Sequence, residues 1–371
     1  MGENKAFKDW FDRDAARALG AQLRAVSPRF DEARFYARAT EGIDDLEMMD
    51  RVRRFSSALR AELPDDMEDG LRIVTESLPP ILDGTDSVTH GYLQWPIGQL
   101  IADHGVEHLD ASWEAMIALT QRLTSEFAIR PFVERYPDEV FARLQALTGH
   151  ESAHVRRWCS EGIRPRLPWG KRLDALVADP SPIFPVLEAL KDDPSLYVRK
   201  SVANCLNDVA KDHPEAVLAI AARWMEGASE ERAWVVKHAL RTLVKAGDPR
   251  ALEVLGFGPP KGLTASLSVS PERVAIGEHV TLSLTIESAV RCELLVDYRV
   301  HYRKSNGEAR PKVFKWKTLS MRAGETASLT KKQPMRVTTI RPLYPGEHVV
   351  DVQVNGVVLA ESRFSLRAAS T

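Results

Sequence analysis

Three residues at repeat spacing have the chemistry to act together on a cationic centre. Glu126 closes the run ALTQRLTSEF, Trp169 lies in the exit RPRLPWG, and Asp208 ends SVANCLNDVA, so they stand 43 and 39 residues apart. Two carboxylates can hold an electropositive carbon by charge and orient or deprotonate a water, and an indole can offer its π face to the same centre. Carboxylates near C-terminal helix ends oppose the helix dipole, which weakens a purely stabilising role. The structural alternative pairs Glu126 with Arg130 and Asp208 with Lys211, and leaves Trp169 as packing filler.

A second string suggests metal chemistry. His150-Glu151-Ser152-Ala153-His154 is a literal H-E-x-x-H. Zinc binding by this motif needs both histidines one turn apart inside a helix. Gly149 interrupts the pattern, and repeat register starts the helix near Ser152 or Ala153, so His150 falls in the preceding loop. Glu161 lies too near the end of the same helix to serve as third ligand. The string reads as a fortuitous match at an inter-repeat turn, and neither metal nor cofactor is expected. A zinc hydrolase centred on His150 and His154 is the weakest of the alternatives.

The elements that must position these residues change character along the chain. From about residue 5 to 257 the period is helical: ASWEAMIALTQRLTSEFAIRPF places Trp113, Met116, Ile117, Leu119, Leu123 and Phe127 on one broad face. HVRRWCSEGIRP, YVRKSVANCLND and WVVKHALRTLVKAG share an aromatic or His, then Val, then basic residues. Their Val155, Val198 and Val235 are 43 and 37 residues apart, the period of HEAT-like helix pairs that stack into a solenoid. After the Gly- and Pro-rich segment 256–262 the pattern alternates, in LTASLSV, HVTLSLTIES, CELLVDYRVHYR, ASLTKK, EHVVDVQVNG and VVLAESRFSL. Turns such as Ser305-Asn-Gly307 and Asn355-Gly356 separate these runs. Roughly seven such strands within about 105–110 residues suggest an immunoglobulin-like sandwich. The predicted fold is multidomain, α then β: a HEAT-like helical-repeat solenoid over 1–257, a linker at 258–262, and an immunoglobulin-like β-sandwich over 263–371.

Composition bounds the function classes. The formal charge of −2 hides a polarity, with 17 Lys and Arg against 10 Asp and Glu in residues 261–371, and 33 against 42 in residues 1–260. A binding surface needs only local charge, so the balance of the whole chain says little about partners. No apolar run is long enough to span a bilayer, and the charged amphipathic N-terminus lacks the apolar stretch of a secretory signal. Cys159, Cys205 and Cys292 form no CxxC and no even framework, which fits a reducing cytoplasm. P-loop, dinucleotide-binding and zinc-deaminase signatures are absent.

The strings TSEFAIRPF, RRWCSEGIRPRLPWG, YVRKSVANCLNDVAKDHPE and WVVKHALRTLVKAGDP together resemble AlkC, within the AlkC/AlkD superfamily of HEAT-like DNA glycosylases. The resemblance extends through the N-terminal WFD and YLQWPIGQLIADHGVEHLD, covering nearly all of residues 5–257. The alternating region looks like the immunoglobulin-like domain carried by one branch of that family. Trp158 and Cys159 stand where smaller or plainer apolar residues are expected. The resemblance implies a base-excision enzyme that hydrolyses the N-glycosidic bond of cationic alkylated bases (3-methyladenine, 3-methylcytosine, 1-methyladenine) in duplex DNA without flipping the base. It assigns Glu126, Trp169 and Asp208 to the family's active-site carboxylates and aromatic.

A solenoid reading DNA without a base pocket needs cations along one surface. Equivalent residues of stacked repeats align, so Arg156, Arg157, Arg199, Lys200 and Lys237 are expected to form a basic ladder neutralising phosphates. Arg164 and Arg166 flank the Trp169 loop, and Asn204, His238 and Arg241 complete the expected DNA-binding set. In the sandwich, Arg303, Lys304, Lys312, Lys315 and Lys317 are candidates to reach the duplex, against an alternative role in protein adhesion. A monomeric, cytoplasmic, monofunctional glycosylase is expected, because no amine nucleophile accompanies the three residues. The competing reading from another class is a non-catalytic HEAT-repeat scaffold that binds protein partners.

Overall fold

The structure, a computed structural model, describes residues 6–82, 84–85, 91–338 and 342–368. It divides into two compact units, residues 1–213 with 228–239, and residues 214–227 with 240–371.

The first unit is built of helices. The three strings of shared pattern become the helices Ala153–Glu161, Leu196–Val209 and Glu230–Ala239, the second packing on both the first and the third. Val155, Val198 and Val235 are each fully buried. Burial of a side chain of this size stabilises by roughly 1.5–3 kcal/mol, which explains why the repeat keeps an apolar residue at this register. The preceding aromatic slot also aligns, with the His154 and Tyr197 rings 5.6 Å apart across neighbouring repeats. Trp158 is completely buried, 5.2 Å from Trp113 of the helix Leu109–Thr120. The larger residue that departs from expectation here fills an inter-helix space.

One helical expectation fails. The run from Trp113 through Phe127 is not continuous, because its helix stops at Thr120. The Ser125 hydroxyl donates to the Met116 carbonyl at 2.9 Å, and the Thr120 hydroxyl accepts the Ser125 N–H at 3.3 Å. Short hydroxyl side chains that bond nearby backbone compete with helix propagation, and here they turn the chain. Glu126 is therefore on a turn and not at a helix end.

Among the described residues the second unit contains eight strands: β1 (Leu263–Ser270), β2 (Arg273–Ala275), β3 (His279–Ser288), β4 (Cys292–Arg303), β5 (Ala309–Met321), β6 (Glu325–Pro334), β7 (Gly346–Val354) and β8 (Val357–Arg367). They form a three-stranded sheet ordered β1-β3-β6 and a five-stranded sheet ordered β2-β8-β7-β4-β5. Alternation supplies the core: Val280, Leu282, Leu284 and Ile286 of β3 share one cluster with Val296, Tyr298 and Val300 of β4 and Val350, Val352 and Val354 of β7. Cys292 is a free thiol, so side-chain packing holds this sandwich without the inter-sheet bridge of antibodies.

The strand pattern begins at Leu263, but the compact units part inside the helical region. The helices Pro214–Met225, Arg241–Ala246 and Pro249–Val254 belong to the second unit. Gly247 and Gly356 explain how closely a helix end meets the sandwich: a Cβ on Gly356 would stand 2.6 Å from the Gly247 carbonyl oxygen. Asn355, left-handed at φ 47°, donates to the Gly258 and Glu293 carbonyls at 2.7 and 3.0 Å and accepts the Leu295 N–H at 2.7 Å. The predicted Asn355-Gly356 turn thus also anchors the segment leading into β1.

Candidate functional site: a buried chain of alternating charge

The Glu126 turn is organised by its own side chains. The Thr124 hydroxyl donates to Glu126 Oε2 at 2.8 Å, and the Glu126 N–H donates back to that hydroxyl at 3.3 Å. Arg157 donates to the Thr124 hydroxyl at 2.8 Å and makes a close ion pair with Glu126 Oε2. Both side-chain bonds to Glu126 fall on Oε2; Oε1 receives none among the described residues.

From Arg157 the charges alternate. Its second guanidinium nitrogen lies 3.4 Å from Glu161, four residues on in the same helix, and its carbon lies 5.3 Å from the Tyr197 ring centroid. Glu161 accepts Arg164 at 2.6 Å on one oxygen and the Ser201 hydroxyl at 2.6 Å on the other. Arg164 reaches Asp208 Oδ2 at 2.8 Å, and Lys211 holds Asp208 Oδ1 at 2.9 Å. Glu126, Arg157, Glu161, Arg164, Asp208 and Lys211 thus form one neutral chain of opposite charges. Asp208 is 2% exposed and Glu126 8%.

Electrostatics favour the charged forms of Arg157, Glu161 and Arg164 in the middle of this chain. Burial works against the charge on Arg157, but Glu126 and Glu161 outweigh it and raise its pKa above the ordinary range. Burial likewise disfavours the Glu161 carboxylate, yet Arg157 and Arg164 pull its pKa below the usual value. For Arg164, too, burial is overcome by Glu161 and Asp208. Repeat spacing does not bring Glu161 forward as a site residue. The signal was present as Arg157, Glu161 and Arg164 at helical four- and three-residue spacing.

Trp169 is presented differently. It lies in the loop after Gly162, is 66% exposed, and has a left-handed backbone at φ 64°. A non-glycine residue held there costs about 1–3 kcal/mol, so the surroundings must impose the shape. Arg130 does this. Fully buried, it donates to the carbonyls of Gly162 at 3.2 Å, Arg164 at 3.0 Å, and Lys171. Arg130 therefore holds the tryptophan loop and is not the hydrogen-bonded partner of Glu126. Burial lowers its pKa to about 10, which leaves it cationic at neutral pH. Gly162 is required for the close approach, since a Cβ there would stand 2.7 Å from Ile129 Cγ2. Of the structural pairings weighed from sequence, only Asp208 with Lys211 is made.

The arginines of the expected DNA-binding set have partners within the fold. Arg156 grips Asp193 at 2.6 and 3.1 Å and the His150 and Glu151 carbonyls at 2.8 Å each. Arg199 donates to the Asp193 and Pro194 carbonyls at 2.6 and 2.9 Å. The two occupy the same repeat position and brace the turn before their own helices, five and six residues back. Arg157 and Arg164 are held in the charge chain, and Arg166 pairs bidentately with Asp212 at 2.8 and 2.7 Å. Lys200 and Lys237 do remain exposed. His238 Nε2 meets Asn204 Oδ1 at 3.2 Å while its ring stacks on Trp234, and Arg241 is half-buried. On the sandwich, Lys312, Lys315 and Lys317 are exposed along β5, an edge strand of the larger sheet, where lysines also block edge-to-edge pairing.

The H-E-x-x-H string is not on one helical face. The helix starts at Ala153 with Ser152 as N-cap, and His150 Nδ1 accepts the Ser152 N–H at 3.0 Å. His154 Nε2 instead contacts the Gly84 carbonyl at 3.0 Å.

Comparison with known proteins resolves the family. A solved structure of the Pseudomonas fluorescens alkylpurine DNA glycosylase AlkC, bound to DNA containing an abasic-site analogue, matches with a TM-score of 0.89. It is 37% identical and covers 98% of this chain and 100% of its own. The chain belongs to the AlkC family. The Uncharacterized protein YhaZ of Bacillus subtilis (strain 168) is 36% identical over 353 residues, 95% of this chain and 96% of its own. A family model described as the C-terminal Ig-like domain of uncharacterised protein YhaZ matches residues 263–368, spanning β1 to β8. The AlkC architecture of helical repeats followed by an immunoglobulin-like domain is therefore the architecture of this protein.

Proposed function

We propose that this protein is a DNA repair glycosylase that hydrolyses the N-glycosidic bond of cationic N-alkylated bases in duplex DNA, without extruding the base. The observation that carries the reading is the whole-length match to a DNA-bound alkylpurine glycosylase, together with a charge chain that pairs Glu126 with Arg157 and Asp208 with Arg164.

The chemistry follows from the substrate. Alkylation at a ring nitrogen makes the base cationic, so when the C1′–N bond breaks the electron pair leaves with the base and neutralises it. No protonation of the leaving group is needed, and no histidine belongs to the charge chain. Positive charge grows instead on the deoxyribose as it becomes oxocarbenium-like. Glu126 and Asp208 stabilise that charge, and the preorganised arginines spare them reorganisation during the reaction. Glu126 Oε1, without a hydrogen-bond partner among the described residues, is the atom suited to receive a proton from the water that adds to C1′. Trp169 offers its exposed face to the electropositive sugar edge. Lys200 and Lys237 are the ladder residues suited to phosphate contact.

The test is release of free methylated base from 3-methyladenine and 3-methylcytosine duplexes, detected by mass spectrometry. Release supports the reading, and no release from either refutes it. Lys211 brings an amine 2.9 Å from Asp208, so the monofunctional assignment also has a direct check. Borohydride reduction during turnover should trap no covalent enzyme–DNA adduct, whereas an adduct lost in Lys211→Ala would show a lyase step.

A further inference from the structure

Two large apolar aromatic side chains stand more than half exposed among the described residues, and they touch. Phe7 is 56% exposed and Trp169 66%, their rings meeting edge to face at 6.3 Å and 84°. They are 162 residues apart in the sequence, so local chain geometry does not account for the contact.

The protein holds the Phe7 segment firmly. Phe7–Trp10 is a single 3-10 turn. The buried guanidinium of Arg51 donates to the Lys8 and Phe11 carbonyls at 3.0 and 3.3 Å and to Leu46 at 2.9 Å. Lys8 adds an ion pair to Glu47 at 3.1 Å. A buried arginine committed to backbone carbonyls fixes this turn, yet its leading ring is left in solvent. Behind Phe7 the aromatic row continues inward, with Trp10 at 4.7 Å and Tyr92 a further 4.9 Å on. Beside Tyr92, Gly91 lies flat on the Arg122 backbone, where a Cβ would stand 1.8 Å from the carbonyl oxygen, four residues before Glu126. The row thus runs from the tryptophan loop to the turn that carries the first carboxylate.

We propose that Phe7 is a second aromatic contact to the substrate strand, forming with Trp169 one step against which the deoxyribose and its neighbouring base lie at the lesion. This rests on the glycosylase reading above. A sugar edge is electropositive and a base has a π face, and both suit a pair of solvent-facing rings. An edge-to-face partner also limits the swing of an indole already fixed in backbone by its loop. A ring whose purpose was packing would be turned inward like Phe11, which is fully buried.

The experiment compares Phe7→Ala, Phe7→Leu and Phe7→Tyr. Two quantities are read: affinity for a duplex carrying one abasic-site analogue, by fluorescence anisotropy, and single-turnover release of 3-methyladenine. Phe7→Ala and Phe7→Leu should each weaken binding and slow release by about five- to tenfold, the size expected of one aromatic contact, while Phe7→Tyr keeps both near the parent values. Parent behaviour from Phe7→Leu would overturn the proposal, since an aliphatic residue would then serve as well, and so would parent behaviour from Phe7→Ala. Should Phe7→Ala melt early, Leu against Tyr still decides, because both retain apolar bulk. A parent protein that releases no base would refute the glycosylase reading, and the binding arm would still report on Phe7.

Discussion

Glu161 in the helical unit and Asp297 in the sandwich are buried in opposite ways. In the helical unit Glu161 lies between two arginines, and although burial opposes its charge, they hold its pKa below the usual value. In the sandwich Asp297 is also buried, at 8% exposure, but only the longer-range charges of Lys315 and Lys245 offset its burial, and its pKa rises to about 6. Burial alone therefore does not set the charge of a carboxylate; the partner does. In the unit proposed to do chemistry, Glu126, Glu161 and Asp208 each lie against a fixed counter-charge. Asp351, also buried in the sandwich, has Arg299 at 2.8 Å and His301 at 2.6 Å beside it.

This contrast can be broken most severely at Arg164. Arg164→Ala leaves Glu161 and Asp208 facing each other's charge without their shared cation, and the loss should be about 3–5 kcal/mol in denaturant unfolding. A loss below about 1 kcal/mol would mean that the chain is more hydrated than its burial implies. Asp297 gives an intermediate effect of opposite sign. Its folded pKa lies above its ordinary value of 3.8, so its contribution is present in acid and is lost as pH rises towards and through about 6. Asp297→Asn should remove that slope and stabilise the protein at neutral pH by on the order of 2 kcal/mol. An unchanged slope in the variant would place the titration elsewhere. The smallest effect is expected on the ladder. Lys200→Ala and Lys237→Ala should each reduce the salt dependence of DNA binding by about one ion. Arg156→Ala, a turn brace, should lower stability and leave that slope alone.

Much of the fold could be read from pattern. The helical repeats announced themselves through Val155, Val198 and Val235, because a solenoid must bury the same register in every unit. The sandwich did so through strict alternation. What escaped had physical reasons. β5, with Lys312, Lys315 and Lys317 among its alternating residues, carries too little apolar signal to read as a strand, and β2 is three residues long. The helix end at Thr120 depends on hydroxyl-to-backbone bonds that periodicity does not register. For the site, repeat spacing brought Glu126, Trp169 and Asp208 forward as candidates. It did not reveal how they are held, since Arg130 clamps carbonyls 32 to 41 residues away and Arg157 turns inward to Glu126. Basic residues at aligned positions looked like a phosphate surface. Three of them, Arg156, Arg157 and Arg199, have internal partners that hold the repeat turns and the charge chain.

The most direct test is the single-turnover rate of 3-methyladenine release by Asp208→Asn, measured beside its affinity for an abasic-analogue duplex. Loss of one preorganised charge at the reacting sugar predicts a rate lower by about 100- to 1000-fold with affinity nearly unchanged. A rate equal to that of the parent protein would contradict the account, because Asp208 would then serve the fold and not the reaction.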